Sequence, residues 1–90
     1  MTDYEVTEKL ERTLKKLGKK GKTRLESALK KMEEIAESPD IEHYKNLSHE
    51  LKEFKRVHID SHFVLIFKAD KKTGKIKFED LQHHDDIYER

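Results

Sequence analysis

The sequence contains no cysteine, no tryptophan and only one proline among its 90 residues. The absence of cysteine excludes a disulfide framework, a thiolate nucleophile and a zinc site built from thiolates. No apolar run approaches the roughly 20 residues of a transmembrane helix, and the opening stretch MTDYEVTEKL lacks the apolar segment of a signal peptide. We therefore predict a single domain over residues 1–90, located in the cytoplasm and without membrane association.

The chain also has little net charge, +1, from 20 basic and 19 acidic side chains. The overall balance therefore does not indicate nucleic-acid binding. The distribution is uneven, however, because basic residues gather in two groups: Lys15, Lys16, Lys19, Lys20, Lys22 and Arg24, then Lys52, Lys55 and Arg56. Each group alone is typical of a solvated helix end or strand face. Together the two groups could form a surface that faces phosphates.

Apolar residues recur at helical spacing in the first half of the chain. The positions of Val6, Leu10, Leu14 and Leu17 predict a helix over residues 7–17, which Gly18 ends. A second apolar stripe predicts a helix over residues 23–37, and the Ser38-Pro39 step ends it. The short basic connection between the two predicts an antiparallel helical hairpin.

Strand patterns surround this hairpin. Residues 4–6 could form a short edge strand, and residues 40–51 are interpreted as a loop with Tyr44 and Leu47 directed inward. FKRVHI, HFVLIFKA and KIKFEDL predict three antiparallel strands, of which the second is central and covered on both faces. DKKTGK predicts the last hairpin turn, with Gly74 at positive φ. The expected class is α+β, with the helices covering one face of a twisted sheet.

All six histidines lie in the second half of the chain: His43, His49, His58, His62, His83 and His84. Native metal binding is not expected, because no Cys pair, H-E-x-x-H motif or helical histidine pair is present. Adjacent His83 and His84 would point to opposite faces of a strand. No nucleophile motif and no glycine-rich phosphate loop occurs either.

General acid–base chemistry by histidine, assisted by cations, is what the residue types leave open. This set suits RNA cleavage without a metal or another cofactor, because the substrate supplies its own nucleophile, the 2′-hydroxyl. For a single histidine, an ordinary polar surface residue is the better interpretation, and only the grouping favours catalysis. Phe63 or Tyr88 could stack on a base, although Phe63 also suits the core and Tyr88 could simply anchor the terminus.

The second half also resembles a known family. KNLSHELKEFKRVHIDSHFVLIFKAD and DLQHHDDIYER together resemble the RelE/ParE toxin superfamily, and its YafQ-like branch in particular. The shared pieces are a K-x-L segment, L-K-x-[FY]-[KR]-x-x-H, [LI]-[IL]-[FY] and H-x-x-[ILV]-[YF]. They occur here as Lys45-Asn46-Leu47, residues 51–58, Leu65-Ile66-Phe67 and residues 84–88.

The resemblance implies a compact RelE-like, microbial-RNase-like fold and ribosome-dependent cleavage of mRNA in the A site. It further implies neutralisation by an antitoxin protein and a monomeric free toxin. Antitoxin segments would fold onto the helical hairpin and the Tyr4–Val6 edge.

Carried over by position, the resemblance gives roles to several residues. His58 or His62 would be the base and His84 the acid, although His62 stands where YafQ-like proteins have an aspartate. Phe63 occupies the position of an aromatic in that branch and of a catalytic arginine in other members. Tyr88 matches the terminal aromatic.

Lys45 falls where a further histidine is expected, with His43 and His49 as neighbouring alternatives. Lys45 and Arg56 would bind phosphate, with Lys52 and Lys55 nearby on the same segment.

Two other functions stay open. The first is a non-nucleolytic protein, either a ParE-like gyrase inhibitor or a degenerate toxin that only binds its antitoxin. The ParE-like branch lacks this histidine set, which argues against it. The second is a small structural domain in which the histidines are incidental.

Overall fold

The computed structural model describes residues 4–38, 44–46, 53–70 and 72–85. Within these ranges the elements follow in the order β1 (Tyr4–Val6), α1 (Glu8–Lys20), α2 (Lys22–Glu37), β2 (Lys45–Asn46), β3 (Lys55–His58), β4 (Phe63–Ala69) and β5 (Ile76–His83). The strands form one sheet in the order β1-β5-β4-β3-β2. β1 pairs with β5 in parallel, and the other pairings are antiparallel.

The predicted α+β class is confirmed, and so is the short edge strand at residues 4–6, which is β1. The sheet extends further than predicted at its other edge, where β2 pairs with β3. β2 lies in the segment interpreted as a loop, and two of the residues described there pair with β3. Such a short strand has no period that a sequence pattern can show. Tyr44, just before it, is directed inward as predicted and meets Phe67 edge to face at 5.4 Å. Leu47 lies outside the described residues.

Helix α1 continues past the glycine that was expected to end it. Thr7 caps its start, because its side-chain oxygen accepts a hydrogen bond from the Leu10 N–H at 3.1 Å. The end is at Gly21, whose N–H donates to the Leu17 carbonyl at 2.8 Å. The prediction that Gly18 ends α1 was therefore wrong. Gly18 lies beside Leu25 of α2, where the two helices approach each other.

The core lies between the two helices and one face of the sheet. Leu10 of α1 and Ile35 of α2 are fully buried against Leu65, Phe67 and Phe78 of β4 and β5. In β4, four consecutive residues, Val64 to Phe67, are buried, which confirms the prediction of a central strand covered on both faces. Among the described residues, neither helix combines the length and the apolar character that crossing a membrane requires.

The strand register determines which residues share an end of the sheet. His58 pairs with Val64, and Phe63 pairs with His83. The end of β3, the start of β4 and the end of β5 therefore lie side by side. Gly74, with φ of 76°, is in the turn before β5 at the opposite end, as predicted.

Candidate active site

Four of the six histidines meet at one end of the sheet. His58 ends β3, His62 precedes β4, and His83 and His84 come at the end of β5. We call this group of four residues the histidine end. It contains all three histidines that were predicted to be catalytic, together with His83. The other two histidines, His43 and His49, lie outside the described residues.

The imidazoles of His58 and His84 form the first pair. Their ring centroids are 5.5 Å apart, and the rings are tilted by 34°. The His58 side chain is exposed, and that of His84 is 44% exposed, so both are accessible to a ligand. The backbone N–H of His84 donates to the backbone carbonyl of His62 at 2.6 Å. This hydrogen bond fixes the backbone of His84 against the β3–β4 turn.

His62 and His83 form the second pair. Their rings are stacked, with centroids 5.9 Å apart and planes within 19° of each other. Phe63 meets His83 edge to face at 5.3 Å and also packs against the core. The adjacent His83 and His84 therefore contact different partners. The His58 ring lies next to that of His84, whereas the His62 ring stacks on that of His83. The sequence pattern could not distinguish His58 from His62.

Asp60 and Arg24 complete the second group. Asp60 was not singled out from the sequence, and Arg24 was named only as a member of the first basic group. Asp60 Oδ1 accepts the N–H groups of His62 and Phe63, each at 2.8 Å. Its Oδ2 accepts a hydrogen bond from Arg24 Nε at 2.8 Å. The Arg24 guanidinium also lies 4.1 Å from the centroid of the Phe63 ring, within the range of a cation–π contact. The only sequence signal was the Asp60-Ser61 turn between two strand patterns.

The environment of Asp60 favours its charged form. Partial burial favours the neutral acid, but the hydrogen bond from Arg24, the two backbone N–H donors and the Arg24 charge together outweigh it. The pKa of Asp60 is lowered from 3.8 to about 2. Asp60 is therefore a carboxylate throughout the pH range in which histidines titrate.

Asp85 lies next to both C-terminal histidines. Its N–H donates to His83 Nδ1 at 3.2 Å, which requires that nitrogen to be unprotonated. Its carboxylate oxygens lie 3.7 Å from His83 Nδ1 and 3.6 Å from His84 Nδ1. These contacts become ion pairs only when the imidazole is protonated. Asp86 and Tyr88 lie outside the described residues.

The predicted phosphate ligands are distributed over different surfaces. Arg56 lies two residues before His58, so strand alternation places both on the sheet face opposite the helices. Lys55 lies on the helix side, is buried to 7% exposure, and donates through Nζ to the Tyr44 carbonyl at 3.2 Å. The backbone of Lys45 pairs with Arg56. Lys52 is outside the described residues.

Within the ranges that the structure describes, no group of three His, Cys, Asp or Glu side chains is arranged to hold a metal ion. What the geometry provides instead is a pair of accessible imidazoles with an arginine on the same sheet face. Such a set can move protons and neutralise a phosphate.

The sequence of the chain is similar to that of a protein named as a toxin. The chain is 48% identical over 90 residues to a protein of Methanocaldococcus jannaschii named "Putative toxin RelE4", covering 100% of this chain and 94% of that protein. It is 45% identical over 83 residues to an uncharacterized protein of Methanosarcina mazei, covering 92% of this chain and 94% of that one. No family model matches the sequence.

Solved structures share the fold at low sequence identity. A YoeB/ParE toxin from Agrobacterium tumefaciens superimposes with a TM-score of 0.77 at 7% identity, covering 92% of this chain and 99% of that one. The intact Escherichia coli RelBE toxin–antitoxin complex matches with a TM-score of 0.69 at 20% identity, covering 90% and 94%. The E. coli DinJ-YafQ complex matches with a TM-score of 0.64 at 16% identity, covering 98% and 99%.

Proposed function

The chain belongs to the RelE/YafQ-type toxin superfamily, and from this premise we propose that it is a ribosome-dependent mRNA endonuclease of a toxin–antitoxin system. The observation that carries the proposal is the His58–His84 pair, whose ring centroids are 5.5 Å apart at an accessible end of the sheet. Two imidazoles at this separation can each hydrogen-bond to one oxygen of a single phosphodiester group.

The proposed reaction is a transfer within the RNA itself. His58, unprotonated, takes the proton of the 2′-hydroxyl, and the 2′-oxygen forms a bond to phosphorus. The bond from phosphorus to the 5′-oxygen breaks, and His84, protonated, donates a proton to that leaving oxygen. The products are a 2′,3′-cyclic phosphate and a free 5′-hydroxyl, and the reaction consumes no cofactor. General acid–base catalysis of this kind typically contributes a factor of about 10² to 10⁴ in rate.

Arg56 is the proposed phosphate ligand within the described residues. It shares a strand face with His58, and its guanidinium can offer two parallel donors to phosphate oxygens. The backbone pairing of Lys45 with Arg56 supports Lys45 as a second ligand. We leave Lys55 out of this set, because its buried ammonium group points away from His58. Lys52 and Tyr88 stay predictions from the resemblance.

An antitoxin is the proposed protein partner. Two of the structural relatives were solved as toxin–antitoxin complexes, which supports a partner of this kind. The proposed antitoxin-binding surface consists of the helical hairpin and the β1 edge of the sheet. Among the described strands, β1 pairs with β5 alone, and Tyr4 is 51% exposed, so this edge can accept an added segment.

The test is translation with purified ribosomes and a defined mRNA, with cleavage followed by primer extension. We expect the wild type to cut mRNA in the A site and His84→Ala to cut it at least about 10²-fold more slowly. His58→Ala should lose a similar factor, and His62→Ala should lose less.

Undiminished cleavage by His84→Ala would contradict the proposed mechanism. Growth arrest with intact mRNA and blocked supercoiling would instead indicate a gyrase inhibitor.

A further inference from the structure

We infer that the pair formed by Arg24 and Asp60 is a positioning device that holds the histidine end in its working geometry. The inference rests on the proposed function and concerns two residues that do not touch the reacting atoms. It assigns part of the active-site geometry to the helical hairpin, since Arg24 belongs to α2.

The first step is the β3–β4 turn. One carboxylate oxygen of Asp60 binds the N–H groups of both His62 and Phe63, and the Ile59 N–H donates to the Phe63 carbonyl at 3.1 Å. These three hydrogen bonds fix the backbone between the end of β3 and the start of β4. Asp60 thus determines where His62 enters the site.

The second step leads from the turn to the proposed acid. The carbonyl of His62 accepts the N–H of His84 at 2.6 Å. A displacement of the His62 peptide therefore moves His84 relative to His58. A continuous chain of hydrogen bonds runs from Arg24 through Asp60 and the His62 backbone to His84.

The third step is the attachment of this series of hydrogen bonds to helix α2. Arg24 donates Nε to Asp60 and covers the Phe63 ring at 4.1 Å, and the Phe63 ring contacts His83. Both charged side chains are about one-third exposed, 32% for Arg24 and 29% for Asp60, so the contact is partly shielded from water. One arginine therefore holds the turn by a hydrogen bond and the second imidazole pair through an aromatic ring.

The chain offers a matched control. Arg12 and Glu8 also form an arginine–carboxylate contact, at 3.1 Å, but both side chains are at least 70% exposed and lie on α1. Arg12→Gln removes the same charge as Arg24→Gln without touching the β3–β4 turn. Exposed pairs of this kind contribute little to stability.

The experiment compares Arg24→Gln, Arg24→Lys and Asp60→Asn with Arg12→Gln and the wild type. Asp60→Asn keeps an oxygen for the two backbone N–H groups and loses the charge that Arg24 binds. The first readout is the nitrogen and proton resonances of the histidine rings at fixed pH. The second is single-turnover mRNA cleavage at saturating ribosomes, which reports the chemical step separately from binding.

We expect Arg24→Gln to shift the ring resonances of His62, His83 and His84 and to slow cleavage by about 10- to 100-fold, since small misplacements of reacting groups have costs of that order. Arg24→Lys should recover only part of the rate, because lysine lacks the planar group that covers Phe63. Asp60→Asn should lie between the wild type and Arg24→Gln. Arg12→Gln should leave the resonances unchanged and the rate within about 2-fold of the wild type.

The two proposals fail in different ways. If the wild type does not cleave mRNA, the proposed nuclease function is wrong, and the resonances still decide whether the Arg24–Asp60 pair positions the histidines. Unchanged resonances in folded Arg24→Gln and Asp60→Asn would overturn the positioning role. Shifted resonances in these variants together with an unchanged cleavage rate would also overturn the positioning role, because the displaced geometry would then not matter for the reaction.

Discussion

Asp60 joins three hydrogen-bond donors with one short side chain at the histidine end. Its pKa of about 2 in the folded protein lies below the usual 3.8, so protons bind more tightly to the unfolded chain. The carboxylate therefore stabilises the fold above about pH 4, and this contribution is lost as the pH falls toward 2.

The first prediction concerns stability in acid. Asp60→Asn should be less stable than the wild type by about 1 kcal/mol at pH 7, a value reduced for the partial exposure of both partners. The difference should close between pH 4 and pH 2, as measured by urea unfolding at each pH. Glu5→Gln is the control. Lys75 also lowers the pKa of Glu5, but both side chains of that ion pair are exposed. A difference for Asp60→Asn that persists at pH 2 would contradict this account.

The second prediction concerns the two imidazole pairs. With one imidazole as base and another as acid, the cleavage rate should pass through a maximum near neutral pH. His84→Ala should abolish the alkaline limb, which reports loss of the proton donor, whereas His83→Ala should keep both limbs. The measurement is the single-turnover rate from pH 5 to pH 9. Retention of both limbs in His84→Ala would mean that another group is the acid.

At the residue scale, the sequence could name candidate catalytic side chains but could not show how those side chains pair. Histidine is recognisable by its titration alone, so His58, His62 and His84 could be named from residue type and resemblance. The stacking of His62 on His83 depends on the register between β4 and β5. The contact between Arg24 and Asp60 joins residues 36 positions apart in the chain. No local pattern encodes either contact.

At the element scale, the α1–α2 hairpin shows how two nearby glycines divide their roles. Gly18 lies within the helix, and a methyl group there would meet Leu25 at an ordinary 3.7 Å. Gly21 ends the helix instead. Periodicity predicted the hairpin because Leu10, Leu14 and Leu17 keep one face apolar. It could not choose between the two glycines, because that choice depends on how closely the helices approach.

The third prediction uses glycine substitutions of opposite sign. Gly18→Ala should stabilise the protein by about 0.5–1 kcal/mol, because alanine lowers the cost of helix formation and fits the contact. Gly74→Ala should destabilise it by about 1 kcal/mol, because φ of 76° disfavours any side chain. Urea unfolding of both variants checks the pair. Destabilisation by Gly18→Ala would show that the helices cannot accept the added methyl group.

At the scale of the whole molecule, charge is distributed asymmetrically despite the net +1. No acidic residue occurs between Glu11 and Glu26, and five lysines of this stretch are exposed: Lys15, Lys16, Lys19, Lys20 and Lys22. Arg24, two residues further on, contacts the β3–β4 turn. The basic junction of the hairpin therefore lies near the histidine end.

The fourth prediction follows from this placement. If the junction faces ribosomal RNA, Lys19→Gln with Lys20→Gln should weaken ribosome binding and reduce the slope of log K against log salt by about 0.7–0.9 for each lost contact. Lys72→Gln, in the turn at the opposite end of the sheet, is the matched control. The measurement is binding to ribosomes at several salt concentrations. Equal slopes for the double variant and the wild type would place the RNA contact elsewhere.

The parallel pairing of Tyr4–Val6 with Ile76–Phe78 determines when the sheet can form during synthesis. During synthesis, the first strand has no partner in the sheet until a segment about 70 residues later leaves the ribosome. The same late segment brings His83 and His84 to the histidines that were made before it. A growing chain therefore lacks both imidazole pairs until β5 has been made and has docked. Such a long-range closure also makes sheet formation slow relative to the helices. For most of its synthesis, the chain on the ribosome therefore lacks the proposed catalytic pair.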